Sequence, residues 1–348
     1  MRSVHQLLAS AVPGDAVTDQ AFAWRTVLRH SGCRSEVIGE HVHPALAGQV
    51  FELRATRFRA SETLVFHYAV WTRALERFLN APSTRVLLYH NITPGDLLRD
   101  YNPVLADHCD RARAAMPRLR GQCAAVIADS EFNATELRAN GMDDVSVVPL
   151  LLNLSARRTD ERPPSDPVVL SVGRLAPNKR IEDMLKAFTL YQRYRSPEAS
   201  LLLVGPYHEF EGYQRALERL AERLGARSVR FTGRLPREER DAWYRRASAY
   251  ICSSIHEGFC APVIEALANG VPVVARAAGA VPETLGGAGI VLDDDDPAVY
   301  AEALCEVISS QSTRAQLARA AERRLVELSP ARVADHMQRA LAPVLNGQ

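Results

Sequence analysis

Two facing Rossmann-like α/β domains with a deep cleft between them and a closing C-terminal helix are what this sequence predicts, on three observations. Short apolar runs alternate with amphipathic helical patterns along the whole 348-residue chain. That alternation builds parallel sheets from βαβ units. It breaks once, in the charged, proline-bearing stretch "NLSARRTDERPPSDP" at 153–167, and then restarts. The length is enough for two domains of ordinary size. The expected division is an N-terminal, acceptor-side domain over 1–155 and a linker over 156–167. A C-terminal donor-binding domain follows over 168–330, then a helix over 331–348 that can pack back on the first domain.

In chain order, the apolar runs of the first half predict strands at 4–8, 36–38, 63–68, 85–89, 125–128 and 145–148. Between them lie helical patterns such as "DQAFAWRTVLRHSG" and "EFNATELRANG", the second closing on an Asn-Gly stop. Beyond the break come "VVLSVGRL", "ASLLLVGP", "VRFTG", "AYICSS", "VPVVAR" and "GIVLDD", each followed by a helical pattern. In open α/β sheets of this kind, ligands bind at the carboxyl ends of the strands.

Composition excludes several classes of partner. A formal net charge of +1 gives no overall attraction to nucleic acid or to an anionic membrane. No stretch approaches 18 continuous apolar residues, so no stable membrane insertion is expected. The six scattered cysteines show no C-x-x-C spacing, which argues against a disulfide framework or structural zinc and for a cytoplasmic location. Only Lys179 and Lys186 are lysines in a chain otherwise rich in arginine, so a lysine in a glycine-containing loop stands out.

Two stretches carry the chemistry. In "SVGRLAPNKRIEDMLKAF" a buried strand runs into Gly173 and Arg174, then Lys179, then a helix. Arg174 offers a planar bidentate clamp and Lys179 a mobile point charge, a pair suited to a diphosphate. In "SIHEGFCAPVIEALANG" the strand "AYICSS" gives way to a helix expected to begin near Cys260–Pro262. Proline is at home in a first helical turn. The N–H groups around Gly258, Phe259 and Cys260 then form an anion seat at the positive end of the helix dipole. Glu257, just before the helix, projects into the same crevice, and Glu265, about one turn inside it, can accept hydrogen bonds from vicinal hydroxyls such as those of a ribose.

"VGRLAPNKR" followed at this distance by "EGFCAPVIEALANGVPVVARAAGAVPE" resembles the C-terminal domain of family 4 of the retaining glycosyltransferases, which have the GT-B fold. The similarity is strongest over 168–297, and "VIADSEFNATELRANGMDDVSVVPLLLN" is similar to the segment closing that family's first domain. The resemblance implies a retaining glycosyl transfer from a nucleotide diphosphate sugar, with UDP favoured, to an acceptor hydroxyl. It implies no metal and no other cofactor, and a small molecule or glycan is expected as acceptor ahead of a lipid. Residue by residue, it implies that Arg174 and Lys179 hold the diphosphate with the backbone of Gly258, Phe259 and Cys260. Glu265 would hold the ribose, Glu257 the transferred sugar, and the stretch with Gly233, Arg234 and Leu235 would pass beside the base. His90, ending a strand in "VLLYHNITPGD", resembles the histidine that faces the sugar from the first domain. In "VPGDAVTDQAF", Gly14 would approach a phosphate or the acceptor and Asp15 would bond an acceptor hydroxyl, although the stretch lacks the family's commoner paired glycines.

Other signals are read as structural. "DDDD" at 293–296, before Pro297, is a loop ending in an N-cap rather than a metal motif. The arginines of "CDRARAAMPRLRG" lie on a solvated helix face, and His67 in "LVFHYAVWT" is a strand-end histidine. Cys260 has no partner base at a readable spacing and is not taken as a nucleophile. A nucleotide-sugar 2-epimerase of the same architecture and a catalytically silent nucleotide-sugar-binding protein are the alternative readings.

Overall fold

Two separate, wholly parallel sheets organise the computed structural model, which describes residues 2–154 and 166–346. The first comprises β1 (Ser3–Ala11), β2 (Val37–Val42), β3 (Val50–Glu52), β4 (Glu62–Tyr68), β5 (Thr84–Tyr89), β6 (Ala125–Ala128) and β7 (Val145–Val147). Its strand order is β3-β2-β1-β4-β5-β6-β7. The second comprises β8 (Val168–Val172), β9 (Ser200–Val204), β10 (Val229–Gly233), β11 (Ala249–Cys252), β12 (Val273–Arg276) and β13 (Ile290–Leu292). Its order is β10-β9-β8-β11-β12-β13. Both are doubly wound, so each has one place where the strand order reverses and the loops part to admit a ligand. In the first sheet that place lies between β1 and β4, in the second between β8 and β11.

Helices cover both faces of such a sheet, which is why its strands are near-continuous apolar runs. Leu7, Leu8, Leu64, Val65, Phe66, Val86, Leu87 and Leu88 are all fully buried. The strand that the pattern does not signal is β3, an edge strand three residues long with two of them exposed, paired to β2.

The chain divides into one unit of Met1–Gly95, Val104–Asn153 and Leu328–Gln348, and a second of Asp96–Pro103 and Leu154–Glu327. Two features of this division differ from a simple front-to-back reading. The segment Asp96–Pro103 belongs to the second unit, where the Tyr101 ring meets Tyr213 edge-on and Asn102 Nδ2 donates to the Glu209 carbonyl at 3.1 Å. The last helix, Pro330–Asn346, belongs to the first unit. Its Val333, Met337, Leu341 and Val344 recur every three or four positions and pack on Val4, Trp24, Val86 and Ile127. The expected linker at 156–167 lies, up to residue 165, outside the described residues.

The acidic run behaves as a helix start. Asp296 caps the helix Pro297–Ser309 by accepting from Ala298 N at 2.8 Å, and Asp295 pairs with Arg276 at 2.8 Å. In the arginine-rich stretch Arg111 pairs with Asp107, and Arg113 reaches both Glu136 and the Ile92 carbonyl.

Candidate active site

At the reversal point of the second sheet, the loops after β8 and β11 are stitched together by the backbone. Ile255 N donates to the Asn178 carbonyl at 2.9 Å, and Ser253 Oγ lies 2.9 and 2.8 Å from the carbonyls of Lys179 and Arg180. Buried Asn178 donates from Nδ2 to the His256 carbonyl at 3.3 Å. These bonds fix where Lys179 and Glu257 emerge, and the two side chains meet: Lys179 Nζ lies 2.5 Å from Glu257 Oε1. Burial lowers the lysine's pKa, but the Glu257 charge and hydrogen bond outweigh it, so the net shift is upward and the ammonium is retained. Arg174 projects from the same loop, donates from Nη1 to Glu209 Oε2 at 2.8 Å and lies over the Phe210 ring. Both expected phosphate ligands are therefore held by carboxylates in this structure.

Two glycines shape the floor. Gly173 and Gly205 have φ of 154° and 149°, and a Cβ on Gly205 would lie 1.9 Å from the Gly173 carbonyl oxygen. Behind Glu257, Gly279 has φ 54°, and a Cβ there would lie 2.4 Å from the Glu257 carbonyl oxygen, which already accepts from Ala280 N at 2.9 Å.

The helix after Glu257 spans Ala261–Ala268, one residue inside the expected start, with Pro262 in its first turn and Cys260 as the residue before it. Glu265 points to the helix Arg237–Arg246. Its carboxylate accepts from Tyr244 Oη at 2.9 Å and pairs with Arg240 at 3.3 Å. Burial first, then the Glu265 charge, pushes the Tyr244 phenol well above its ordinary pKa, so it remains a donor. One pocket is lined by Gly173, Arg174, Lys179, Glu257 and Cys260. Glu265, Gly258, Phe259 and the stretch Gly233, Arg234 and Leu235 are not among its lining residues. Gly233 closes β10 with φ 70°, its carbonyl accepting from Gly205 N at 3.0 Å.

The remaining expected residues belong to the first unit. His90 follows β5 and has both ring nitrogens engaged, Nδ1 with Asp129 Oδ2 at 3.0 Å and Nε2 with His67 Nδ1 at 2.9 Å. His67 Nε2 in turn meets Gln6 Oε1 at 2.9 Å. His67 is therefore the middle of a buried chain from Asp129 to Gln6 rather than an isolated strand-end histidine. Asp15, expected on an acceptor hydroxyl, caps a helix through one of its two oxygens. Its Oδ2 accepts from Val17 N and Thr18 N, both at 3.1 Å, as the N-cap of the helix Ala16–His30. An aspartate at that position satisfies otherwise unpaired helix donors. Gly14 beside it has φ 68°, which favours glycine.

Residues that the sequence reading missed are Gly205 and Gly279, Tyr244 and Arg240 behind Glu265, and Asp129 behind His90. The register carries a signal for the last: Tyr89 and Ala128 are partners across β5 and β6, so His90 and Asp129 come next to each other.

One consequence concerns pH. Burial, then the neighbouring His90, holds the His67 pKa well below its ordinary value. The folded chain thus excludes a proton that the unfolded chain takes up below about pH 6.5. Stability falls as pH drops through that value, by up to about 1.4 kcal/mol per pH unit for one group. His5 is also lowered, chiefly by burial, and adds in the same sense, while Asp129, raised chiefly by burial, acts in the opposite sense. In urea titrations between about pH 7 and pH 5, His67→Asn is expected to reduce this slope without abolishing it.

Residues 155–324 match the family described as glycosyl transferases group 1. Over 169 residues the chain is 36% identical to a D-inositol 3-phosphate glycosyltransferase of Corynebacterium urealyticum, covering 47% of this chain and 40% of that protein. Over 148 residues it is 31% identical to the O-antigen chain mannosyltransferase B of Escherichia coli, covering 42% and 38%. The matched segment thus spans about two-fifths of the length of these relatives. Among solved structures, the sucrose-phosphate synthase of Thermosynechococcus elongatus matches with a TM-score of 0.79 at 17% identity over 100% of both chains. HepE of Anabaena, solved with UDP and glucose, matches with a TM-score of 0.76 at 19% identity, again over 100% of both. At such identities the likeness is one of fold, and that fold is GT-B.

Proposed function

We propose that the protein is a retaining glycosyltransferase that moves a sugar from a nucleotide diphosphate sugar to an acceptor hydroxyl. The observation that carries this reading is the Lys179–Glu257 pair at the reversal point of the second sheet, beside Arg174 and immediately before the helix that bears Glu265. In this reading, donor binding exchanges the carboxylate partners of Arg174 and Lys179 for phosphate oxygens. Fixed cations and helix N–H groups then stabilise the charge that develops on the departing diphosphate, without need of a metal. Glu257, released toward the sugar, supports the positive charge growing at the anomeric carbon. The acceptor oxygen attacks from the face the diphosphate leaves, the glycosidic bond to phosphate breaks, and the acceptor's proton passes to the departing phosphate. Glu265, set by Tyr244 and Arg240, orients the ribose. His90, polarised by Asp129, hydrogen-bonds the sugar after exchanging its His67 contact. UDP is the proposed carrier, supported by the UDP complex of HepE, and a small molecule or glycan is the proposed acceptor.

A thermal-shift screen of UDP, GDP, ADP, dTDP and their sugars tests the reading. A true donor at about 100 times its Kd adds roughly 2.7 kcal/mol of stability. Absence of stabilisation by every nucleotide would sink the proposal. Where a donor is found, retention is read from the anomeric proton of the product.

A further inference from the structure

We propose that Cys252, Cys260 and Glu257 form a binding site for a thiophilic divalent metal ion of the zinc class, and that an ion bound there excludes the sugar donor. The three residues are buried, and their two sulfurs and a carboxylate oxygen all lie within 4.8 Å of one another. The Cys252 and Cys260 sulfurs are 3.9 Å apart. Tetrahedral coordination with metal–sulfur bonds of about 2.3 Å sets two sulfurs roughly 3.8 Å apart, so the thiols already stand at the spacing an ion needs. A disulfide would require them to close to about 2.05 Å. In the present structure that spacing is held by a thiol–thiol hydrogen bond, which coordination would replace.

The backbone supplies an independent observation. Cys260 has φ 70° and ψ 60°, in the left-handed region where glycine is the ordinary choice. It stands at the N-cap position, yet its side chain makes no capping hydrogen bond. Thr284 Oγ1 anchors the preceding turn by donating to the Phe259 carbonyl at 2.6 Å. A thiol is thus held at a strained position by a fixed loop, directed at a second thiol that ends β11. Both cysteines line the pocket with Lys179 and Glu257, which gives an ion a route in.

The charges balance. Binding deprotonates both thiols, and two thiolates with one carboxylate around a dication leave a net charge of −1. The Lys179 ammonium, already on Glu257, offsets it. The two thiol protons go to solvent, and no electrons are transferred. The fourth position is left to water, the arrangement of an exchangeable site.

Exclusion of the donor rests on the functional reading above, whereas metal binding does not. Titration of the reduced full chain with Co2+, read by thiolate-to-cobalt charge-transfer absorption, is expected to saturate at one equivalent with release of two protons. Zn2+ should abolish the band. Cys252→Ser and Cys260→Gly, the second relieving the backbone strain, should each weaken binding by more than the 10–100-fold typical of losing an outer partner. Cys305→Ser should leave it unchanged. No band, or a band that survives in both site variants, overturns the site. UDP is then added at a concentration that raises the melting temperature. An unchanged cobalt affinity at that concentration overturns the exclusion. UDP without any thermal effect refutes the donor pocket, and the cobalt titration still decides the metal site.

Discussion

Lys179→Met is expected to lower kcat/KM by about 10²–10³-fold, the range for losing one preorganised group that stabilises developing negative charge. It should also destabilise the fold, because Glu257 would be left buried without its counter-ion. Breaking a buried pair from one side costs about 3–5 kcal/mol. Glu257 keeps 10% of its side-chain surface and Lys179 23%, so the lower end of that range is expected. The two effects separate in a cycle with Glu257→Gln. The double variant has no orphan charge, so urea midpoints should recover most of the lost stability. Turnover should not recover, since neither the cation nor the carboxylate is present. A double variant that regained wild-type kcat/KM would reduce the pair to a structural ion pair. A single Lys179→Met variant with unchanged kcat/KM would remove Lys179 from the chemistry altogether.

That pair also marks where the sequence stops being legible. Lys179 is conspicuous through scarcity, and Glu257 through its place before a proline-initiated helix. Their contact spans 78 positions and exists because Ser253, Ile255 and His256 are bonded to the preceding loop. Nothing local encodes that stitching. The fold was legible for a physical reason: sheets buried on both faces must be written as apolar runs. β3 escapes because three residues on an edge with two exposed carry no such run. The segment Asp96–Pro103 escapes because its attachment is two aromatic rings and one amide, which leave no periodicity. Asp15 is ambiguous for the opposite reason. A carboxylate in a strand-to-helix loop is equally suited to a ligand and to a cap, and here one of its oxygens serves as a cap. Tyr244 and Arg240 lie on a helix without any motif, so their grip on Glu265 emerges only from packing.

Gly279→Ala is expected to slow turnover on a scale comparable to Lys179→Met, although the residue is neither charged nor polar. Its φ of 54° is in the region that L side chains resist, and relieving or bearing that strain costs on the order of 1 kcal/mol. Gly287 provides the control. Its φ is 83°, and a Cβ there meets nothing within 4 Å. Gly287→Ala therefore reports the backbone term by itself, with turnover preserved. At Gly279 the new methyl would stand 2.4 Å from the Glu257 carbonyl oxygen and 2.9 Å from its nitrogen, closer than real Cβ contacts come. The obstacle is main chain, so no rotamer change removes it. Either the turn at Gly279 moves or Glu257 does, and both are tied by the Ala280 N to Glu257 carbonyl bond of 2.9 Å. A displacement of about 1 Å in a positioned group is enough to cost roughly 10²-fold in rate. The expected result is a fall in kcat of at least that order, with a smaller change in nucleotide affinity, because the clash falls on Glu257 and not on Arg174 or Glu265. Equal kcat values for the Gly279→Ala and Gly287→Ala proteins would show that Glu257 need not be held where this backbone holds it.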